Sequence, residues 1–279
     1  MSYHTEHKNL SELYQKLPQD FDLYVKHIVQ RATQIEGLLT EKESIFLSLL
    51  GAFRTTSGEV LEIGSFKGKS TVILAKSVQL TGGKKIFAVD PLSLPSATDP
   101  NVNDTSRVVE DFKQNLKEHN VEHHVDFYQM VSKDLGAQWN QQLRLLWIDG
   151  DHTYEGAKID FRTFAPFLNG GGIVALHDVL HMHEGPIRVF MEDILLSPRF
   201  GPCGIWGSIG WAQYLPNFPK IQQFFNEKRT LYKKLNRLIP YVSLDQQNKG
   251  LHRFLYKLQR SRVPHRPITI TQWCEKILT

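Results

Sequence analysis

EVLEIGSFKGKSTVILAKSV (residues 59–78) decides how the rest of the chain is read. Residues 59–64 form a short apolar run that reads as a buried strand, and 69–78 read as a helix. A glycine-bearing loop between the two lets backbone approach a ligand closely, with helix N–H groups ready for a polar or anionic group. The same alternation continues outward. KIFAVD (85–90) is a strand, SRVVEDFKQNLKEH (106–119) a helix and HVDFYQM (124–130) a strand. LRLLWID (143–149) is the next strand, a helix follows over 154–168, and GGIVALHD (171–178) is a further strand. Strands alternating with helices predict an α/β fold, a mostly parallel sheet with helices on both faces. Right-handed crossovers put the C-terminal ends of such strands on one edge, where ligands bind. Glu62, Asp90, Asp149 and Asp178 all finish strands at that edge.

The flanks are of a different kind. Residues 8–37 read as helical, with Leu10, Leu13, Tyr14 and Leu17 at helical spacing before Pro18 interrupts. A second helix is predicted over 41–54, where Thr40 and Glu43 form a capping-box pattern ahead of IFLSLL. The predicted organisation is a helical cap (1–55), a Rossmann-like central domain (56–216) and a basic helical extension (217–279). The extension holds 13 Lys/Arg against 3 acids, so the remainder, with 20 against 26, is mildly acidic. That balance argues against nucleic acid as the main substrate. Segments 218–238 and 250–260 read as basic amphipathic helices. They suit an anionic membrane surface, a neighbouring subunit in a homo-oligomer, or simple packing.

No apolar run approaches the ~18 residues that span a bilayer, and MSYHTEHKNL does not resemble a signal peptide. Two distant cysteines, Cys203 and Cys274, suggest no disulfide framework, and a cytoplasmic setting is the expectation. The stretch FGPCGIWGSIGWAQYLP (200–216) is read as a wall of the ligand site. Its Trp206 and Trp211 either stack on a planar or sugar face or belong to the core.

Three known loops compete for EIGSFKGKS (62–70). A phosphate-binding P-loop needs four residues between its glycines, and Gly64 and Gly68 enclose three. In that reading Lys69 and Ser70 would meet phosphates and Asp149 would order Mg²⁺, giving a nucleotide hydrolase. The dinucleotide pattern G-x-G-x-x-G is also absent. The acid-x-Gly pattern at the strand end resembles the first motif of class I S-adenosylmethionine-dependent methyltransferases, with Phe66 where they often carry a middle glycine. The resemblance implies a cofactor site at Glu62, Gly64, Ser65, Phe66, Gly68 and Ser70, with Asp149 beside them. Asp90, 28 residues after Glu62, stands where the family's acid reads the ribose diol, and Ser132 where it meets adenine. The plain alternative for Asp90 is a turn acid before Pro91.

IDGDHTYEG (148–156) and GGGIVALHDV (170–179) narrow the resemblance. Across residues 35–215 the chain resembles a metal-dependent branch of that family, which includes catechol O-methyltransferase and enzymes that O-methylate sugars on antibiotics. The branch implies Asp149, His177 and Asp178 as metal ligands, Asp151 as general base and His152 as a competing base. A divalent cation there lowers the pKa of an acceptor hydroxyl and fixes a vicinal oxygen pair. The acceptor implied is a small hydroxylated molecule: a vicinal diol, sugar-like or phenolic. Family members usually carry Asp-Asp or Asp-Asn at the second ligand position. His177 departs from this, so Mg²⁺ or Mn²⁺ is expected with imidazole pulling toward Mn²⁺, Fe²⁺ or Zn²⁺.

The bland readings stand beside these. Asp149-Gly150-Asp151 can be a turn using acids for local hydrogen bonds, and His177 can be a packing histidine. His181, His183 and Glu184 complete a site or form a solvated loop, and Arg188 meets an anionic substrate or faces water. A non-catalytic cofactor-fold module, or a related hydroxylase, remains open at this level.

Overall fold

The structure is a computed structural model, and it describes residues 17–93, 107–242 and 250–278. Helices α1 (Phe21–Ala32) and α2 (Glu41–Ala52) lead into β1 (Glu59–Ile63), α3 (Lys69–Gln79), β2 (Ile86–Val89), α4 (Val108–Glu118) and β3 (Val125–Tyr128). Then come α5 (Ser132–Gly136), β4 (Leu143–Ile148), α6 (Tyr154–Phe164), β5 (Leu168–Leu176) and α7 (Glu184–Val189), which runs on into a π-turn. The chain closes with β6 (Phe200–Trp206), β7 (Ile209–Tyr214), α8 (Phe225–Asn236), α9 (Leu251–Arg260) and α10 (Ile270–Leu278). Leu10, Leu13 and Tyr14 lie outside the described residues. Downstream of Pro18, the predicted first helix is described from Phe21 to Ala32.

The seven strands have the order β3-β2-β1-β4-β5-β7-β6. The first five are parallel, and β7 runs antiparallel to both neighbours. Alternate side chains feed two cores. Val60, Leu145 and Trp147 face α1 to α4, while Leu61, Ile63, Leu146 and Ile148 face α6, α7 and α8. Burial on both faces is why these strands read as continuous apolar runs rather than alternating ones.

In the 200–216 stretch the structure corrects one reading, that its tryptophans stack on a ligand. The stretch is the β6–β7 hairpin, closed by Gly207 (φ 66°) and Ser208, with Trp206 paired to Ile209. Trp206 stacks on Phe46 at 4.5 Å, and Trp211 is buried beside it. Both tryptophans therefore pack in the core.

The basic extension packs on both faces of the sheet. Leu231 and Leu235 of α8 enter one core, and Trp273, Cys274 and Ile277 of α10 enter the other. On its inner side α9 grips the segment after β5: Tyr256 Oη donates to the carbonyls of Leu180 (2.6 Å) and His181 (2.9 Å), and Arg260 Nε to Leu180 (3.0 Å). Its outer side exposes Leu251, Phe254 and Leu258 beside Arg253 and Lys257. Among the described residues no helix is long and apolar enough to cross a membrane.

Candidate functional site

Backbone bonds carry the parallel ladder past the strand ends and line up the functional positions. Gly64 N donates to Val89 O (3.0 Å), Asp149 N to Ile63 O (2.8 Å), His177 N to Ile148 O (2.9 Å) and Asp90 N to Tyr128 O (3.2 Å). Four adjacent strand tips thus share one edge, as the sequence predicts.

At the first tip the chain turns through Gly64 (φ 86°), Phe66 (φ 46°) and Gly68 (φ 88°) before α3 begins. A Cβ at Gly64 would lie 2.1 Å from the carbonyl oxygen of Asp149, so only glycine fits there. Asp90 clasps this loop. Its Oδ2 accepts from Ser65 N (2.7 Å) and Phe66 N (2.9 Å), and its Oδ1 accepts from Leu92 N (2.7 Å). Neither lysine of the loop faces a would-be phosphate. Lys67 pairs with Glu36 (2.8 Å) and Asp111 (2.9 Å), and Lys69 Nζ donates to Gly37 O (3.1 Å). The P-loop reading fails on that geometry as well as on spacing.

Glu62 is fully buried beneath the loop, accepting from Thr71 Oγ1 (2.5 Å) and Ser65 Oγ (3.1 Å), with Ser70 also facing it. Burial pushes its carboxyl up to about 7, against the pull of those hydroxyls. An acid with a raised folded-state pKa holds its proton longer in the native state. Its favourable contribution is therefore complete below about pH 4.5 and is lost as pH rises through about 7. Replacing it by glutamine removes that loss. Between pH 4.5 and 8, Glu62→Gln is expected to gain up to about 3 kcal/mol relative to the parent, at 1.36 kcal/mol per pH unit. Urea unfolding at the two pH values measures it, and a pH-independent difference refutes the raised carboxyl.

Ser132, which opens α5, donates its hydroxyl to Asp160 of α6. Asp160 is buried behind the 149–151 turn, and burial raises its carboxyl to about 6. Sequence reading missed this residue. The signal was present: Asp160 shares the buried face of α6 with Ala157, Phe161 and Phe164, where an acid is out of place.

The tips of β4 and β5 converge. His177 Nδ1 lies 3.0 Å from Asp149 Oδ1 and 3.4 Å from Asp178 Oδ1, and its Nε2 faces Glu43 Oε2 at 3.8 Å. Burial alone would depress the imidazole, yet Asp149, Asp178 and Glu43 raise it well above its ordinary value. Burial would likewise raise Asp149, but His177 and His152 outweigh it and hold the carboxyl low. Asp178 sits at φ 57°, a left-handed strain in a non-glycine residue at the point where the two strand tips meet.

Glu43 is the second residue missed. Its capping box was legible, and it is formed: Thr40 N (3.0 Å) and Thr40 Oγ1 (2.6 Å) donate to Oε2. The same carboxylate also accepts from Ser208 N and Oγ, both at 2.6 Å, tying the cap and the hairpin turn to the floor of the site.

His152 reaches the cluster, with Nε2 3.5 Å from Asp149 Oδ1 and 3.6 Å from Asp178 Oδ2. Its ring stacks on His183 at 4.5 Å, and His183 on His181 at 5.1 Å. Burial, and then His152, push His183 down to about 4. Asp151 stays outside the cluster. It is exposed, and its Oδ1 accepts from Thr153 N (2.8 Å) at the start of α6. Glu184 and Arg188 pair with each other (2.7 Å), and Arg188 also pairs with Glu192 and covers the Tyr154 ring at 3.7 Å.

A sheet of this order, with a glycine loop after β1 and acids on the tips of β2, β4 and β5, is the Rossmann-like fold of class I S-adenosylmethionine-dependent methyltransferases. Residues 61–179 match the family model described as a methyltransferase domain. Solved structures agree on the fold. A cofactor-bound protein from MTB superposes with a TM-score of 0.52 at 15% identity, covering 74% of this chain and 97% of that one. A candidate O-methyltransferase from Klebsiella pneumoniae gives 0.51 at 16% identity, over 74% and 94%. The O-methyltransferase NovP gives 0.50 at 14%, over 70% and 97%. An uncharacterized protein of Acanthamoeba polyphaga mimivirus is 25% identical over 136 residues, which is 48% of this chain and 57% of the relative. The chain thus spans just over half the length of that curated relative.

Proposed function

We propose that the chain transfers a methyl group from S-adenosylmethionine to an oxygen of a small hydroxylated acceptor, beside a divalent cation. One observation carries the reading: the glycine loop, Asp90, Asp149 and the His177-Asp178 pair lie on four adjacent strand tips along one edge. The O-methyl transfer named for NovP, on the same fold, points the same way.

The donor set suits a cation. Asp149, His177 and Asp178 each present a ligand atom, all within 4.8 Å of one another, and His152, Asp178 and His183 form a second such group sharing Asp178. Asp149 and Asp178 would supply hard oxygen ligands. A cation held there would supply Lewis-acid chemistry to the acceptor hydroxyl. The loop held by Asp90 would position the cofactor. The acceptor oxygen would attack the methyl carbon as the carbon–sulfur bond breaks and its electron pair returns to sulfur. Asp151, exposed two residues past Asp149, would take the hydroxyl proton.

Calorimetry with S-adenosylmethionine and ATP side by side, followed by a panel of catechols and sugars, tests this. Cofactor binding and transfer to a diol support it, whereas ATP binding without S-adenosylmethionine binding defeats it. Asp90→Ala is expected to weaken cofactor binding tenfold or more, because it removes a charged acceptor and unclasps two loop amides. Unchanged affinity would overturn the role of Asp90.

A further inference from the structure

We propose that two imidazoles, the buried His152 and the half-buried His183, complete the cation site at Asp149 and Asp178, while His177 holds the two carboxylates from the side of Glu43. This rests on reading Asp149 and Asp178 as cation-holding carboxylates.

The two histidines come from separate loops that the backbone locks together. His152 lies between β4 and α6, His183 just before α7, and Gly185 N donates to His152 O at 3.0 Å. A Cβ at Gly185 would stand 2.3 Å from Thr153 O and 2.5 Å from His152 O, so the loops meet backbone against backbone. Their rings stack nearly parallel, 18° apart at 4.5 Å. The ligand atoms of His152, Asp178 and His183 fall within 4.8 Å of one another, and His152 Nε2 is 3.5 Å from Asp149 Oδ1. Ligands about 2.1 Å from one ion stand roughly 3 to 4.2 Å apart, so the ligand atoms are near enough, and rotation of the His183 ring out of its stack on His152 would turn both imidazoles toward one ion.

His177 stands differently. It is 3% exposed, its ring packs 5.7 Å from Trp147, its Nδ1 faces both carboxylates and its Nε2 faces Glu43. With both carboxylates facing its Nδ1 and Glu43 facing its Nε2, His177 orients ligands rather than meeting the ion. His183, only half-buried, is on the accessible side.

Two imidazoles with two carboxylates change the chemistry of the site. Nitrogen donors favour Mn²⁺, Fe²⁺, Co²⁺ or Zn²⁺, while Mg²⁺ prefers an all-oxygen shell. The site is thus built for a late first-row metal, not the magnesium that an all-carboxylate version would take.

The test uses chelator-stripped full-length protein titrated with Mg²⁺, Mn²⁺ and Co²⁺ by calorimetry, with the visible spectrum of bound Co²⁺ and ¹⁴N couplings of bound Mn²⁺ as direct readouts. Co²⁺ is expected to bind at least a hundredfold more tightly than Mg²⁺, with imidazole nitrogen couplings on Mn²⁺. His152→Gln and His183→Gln should each weaken Co²⁺ tenfold or more and reduce those couplings, while His181→Gln should leave both unchanged. Thermal unfolding and S-adenosylmethionine affinity, measured on every variant, separate a lost ligand from a lost fold. Mg²⁺ binding as tightly as Co²⁺, or His152 and His183 variants binding Co²⁺ like the parent, overturns the proposal. If Asp149→Ala alone abolishes binding, the carboxylate site survives and the imidazole assignment fails. If no metal binds but S-adenosylmethionine does, both metal assignments fall and the methyltransferase reading stands.

Discussion

Gly64→Ala is expected to destabilise the protein by about 3–5 kcal/mol and to abolish binding of S-adenosylmethionine. Two costs act together. The residue sits at φ 86°, where an L side chain is strained by about 1–2 kcal/mol. The added Cβ would also lie 2.1 Å from Asp149 O and 2.7 Å from Gly150 N, which are backbone atoms and cannot rotate away. Relief requires β1 and β4 to part at the tips that carry the site, and this breaks the bond from Asp149 N to Ile63 O. Gly82→Ala is the internal control, because Gly82 has φ 74° but nothing within 4 Å of a would-be Cβ. Its cost should be only that of the backbone strain. Urea denaturation of both variants and calorimetry with the cofactor decide the matter. A Gly64→Ala cost no larger than that of Gly82→Ala would show that the two strand tips do not meet as described.

How far the sequence announced this architecture depends on how local each signal is. β1 to β5 were legible because each is a compact apolar run followed by a helical period, and parallel topology follows from alternation alone. The acids at positions 62, 90, 149 and 178 were legible because polar residues at the end of buried strands have no packing role. The β6–β7 hairpin was not: Gly201, Pro202, Gly204, Gly207 and Gly210 dilute its β character, and only pairing with β5 makes it a strand. Glu43 was legible as a cap and illegible as part of the site, since its second set of partners, Ser208 and His177, lies 165 and 134 positions away in sequence. The tryptophans at 206 and 211 looked available for a ligand because nothing local reveals that α2 and α10 cover them.

Trp273→Ala is the second large effect, expected to cost about 3–5 kcal/mol, as truncating a buried aromatic does. The indole is fully buried, with ring centres 5.8 Å from Phe46, 5.7 Å from Phe53 and 5.6 Å from Trp211. It is the plug by which the basic extension enters the core on the cap side of the sheet. The indole N–H has no acceptor among the described residues, so Trp273→Phe should cost far less, about 1–2 kcal/mol: volume is lost but an unpaired donor goes with it. The consequences should be uneven across the site. Phe46 lies three residues after Glu43 on α2, and Glu43 links the hairpin turn at Ser208 to His177. Loosening Phe46 therefore reaches the side of Glu43, His177 and Asp178 first. The glycine loop and Asp90 are built from β1, β2 and α3, which Trp273 does not touch through these rings. Trp273→Ala is accordingly expected to weaken the proposed cation binding several-fold, to leave S-adenosylmethionine affinity within about threefold, and to make α10 sensitive to trypsin. Unfolding midpoint, two calorimetric titrations and limited proteolysis read all three. An unchanged midpoint would mean that α10 is not a structural part of the sheet's core.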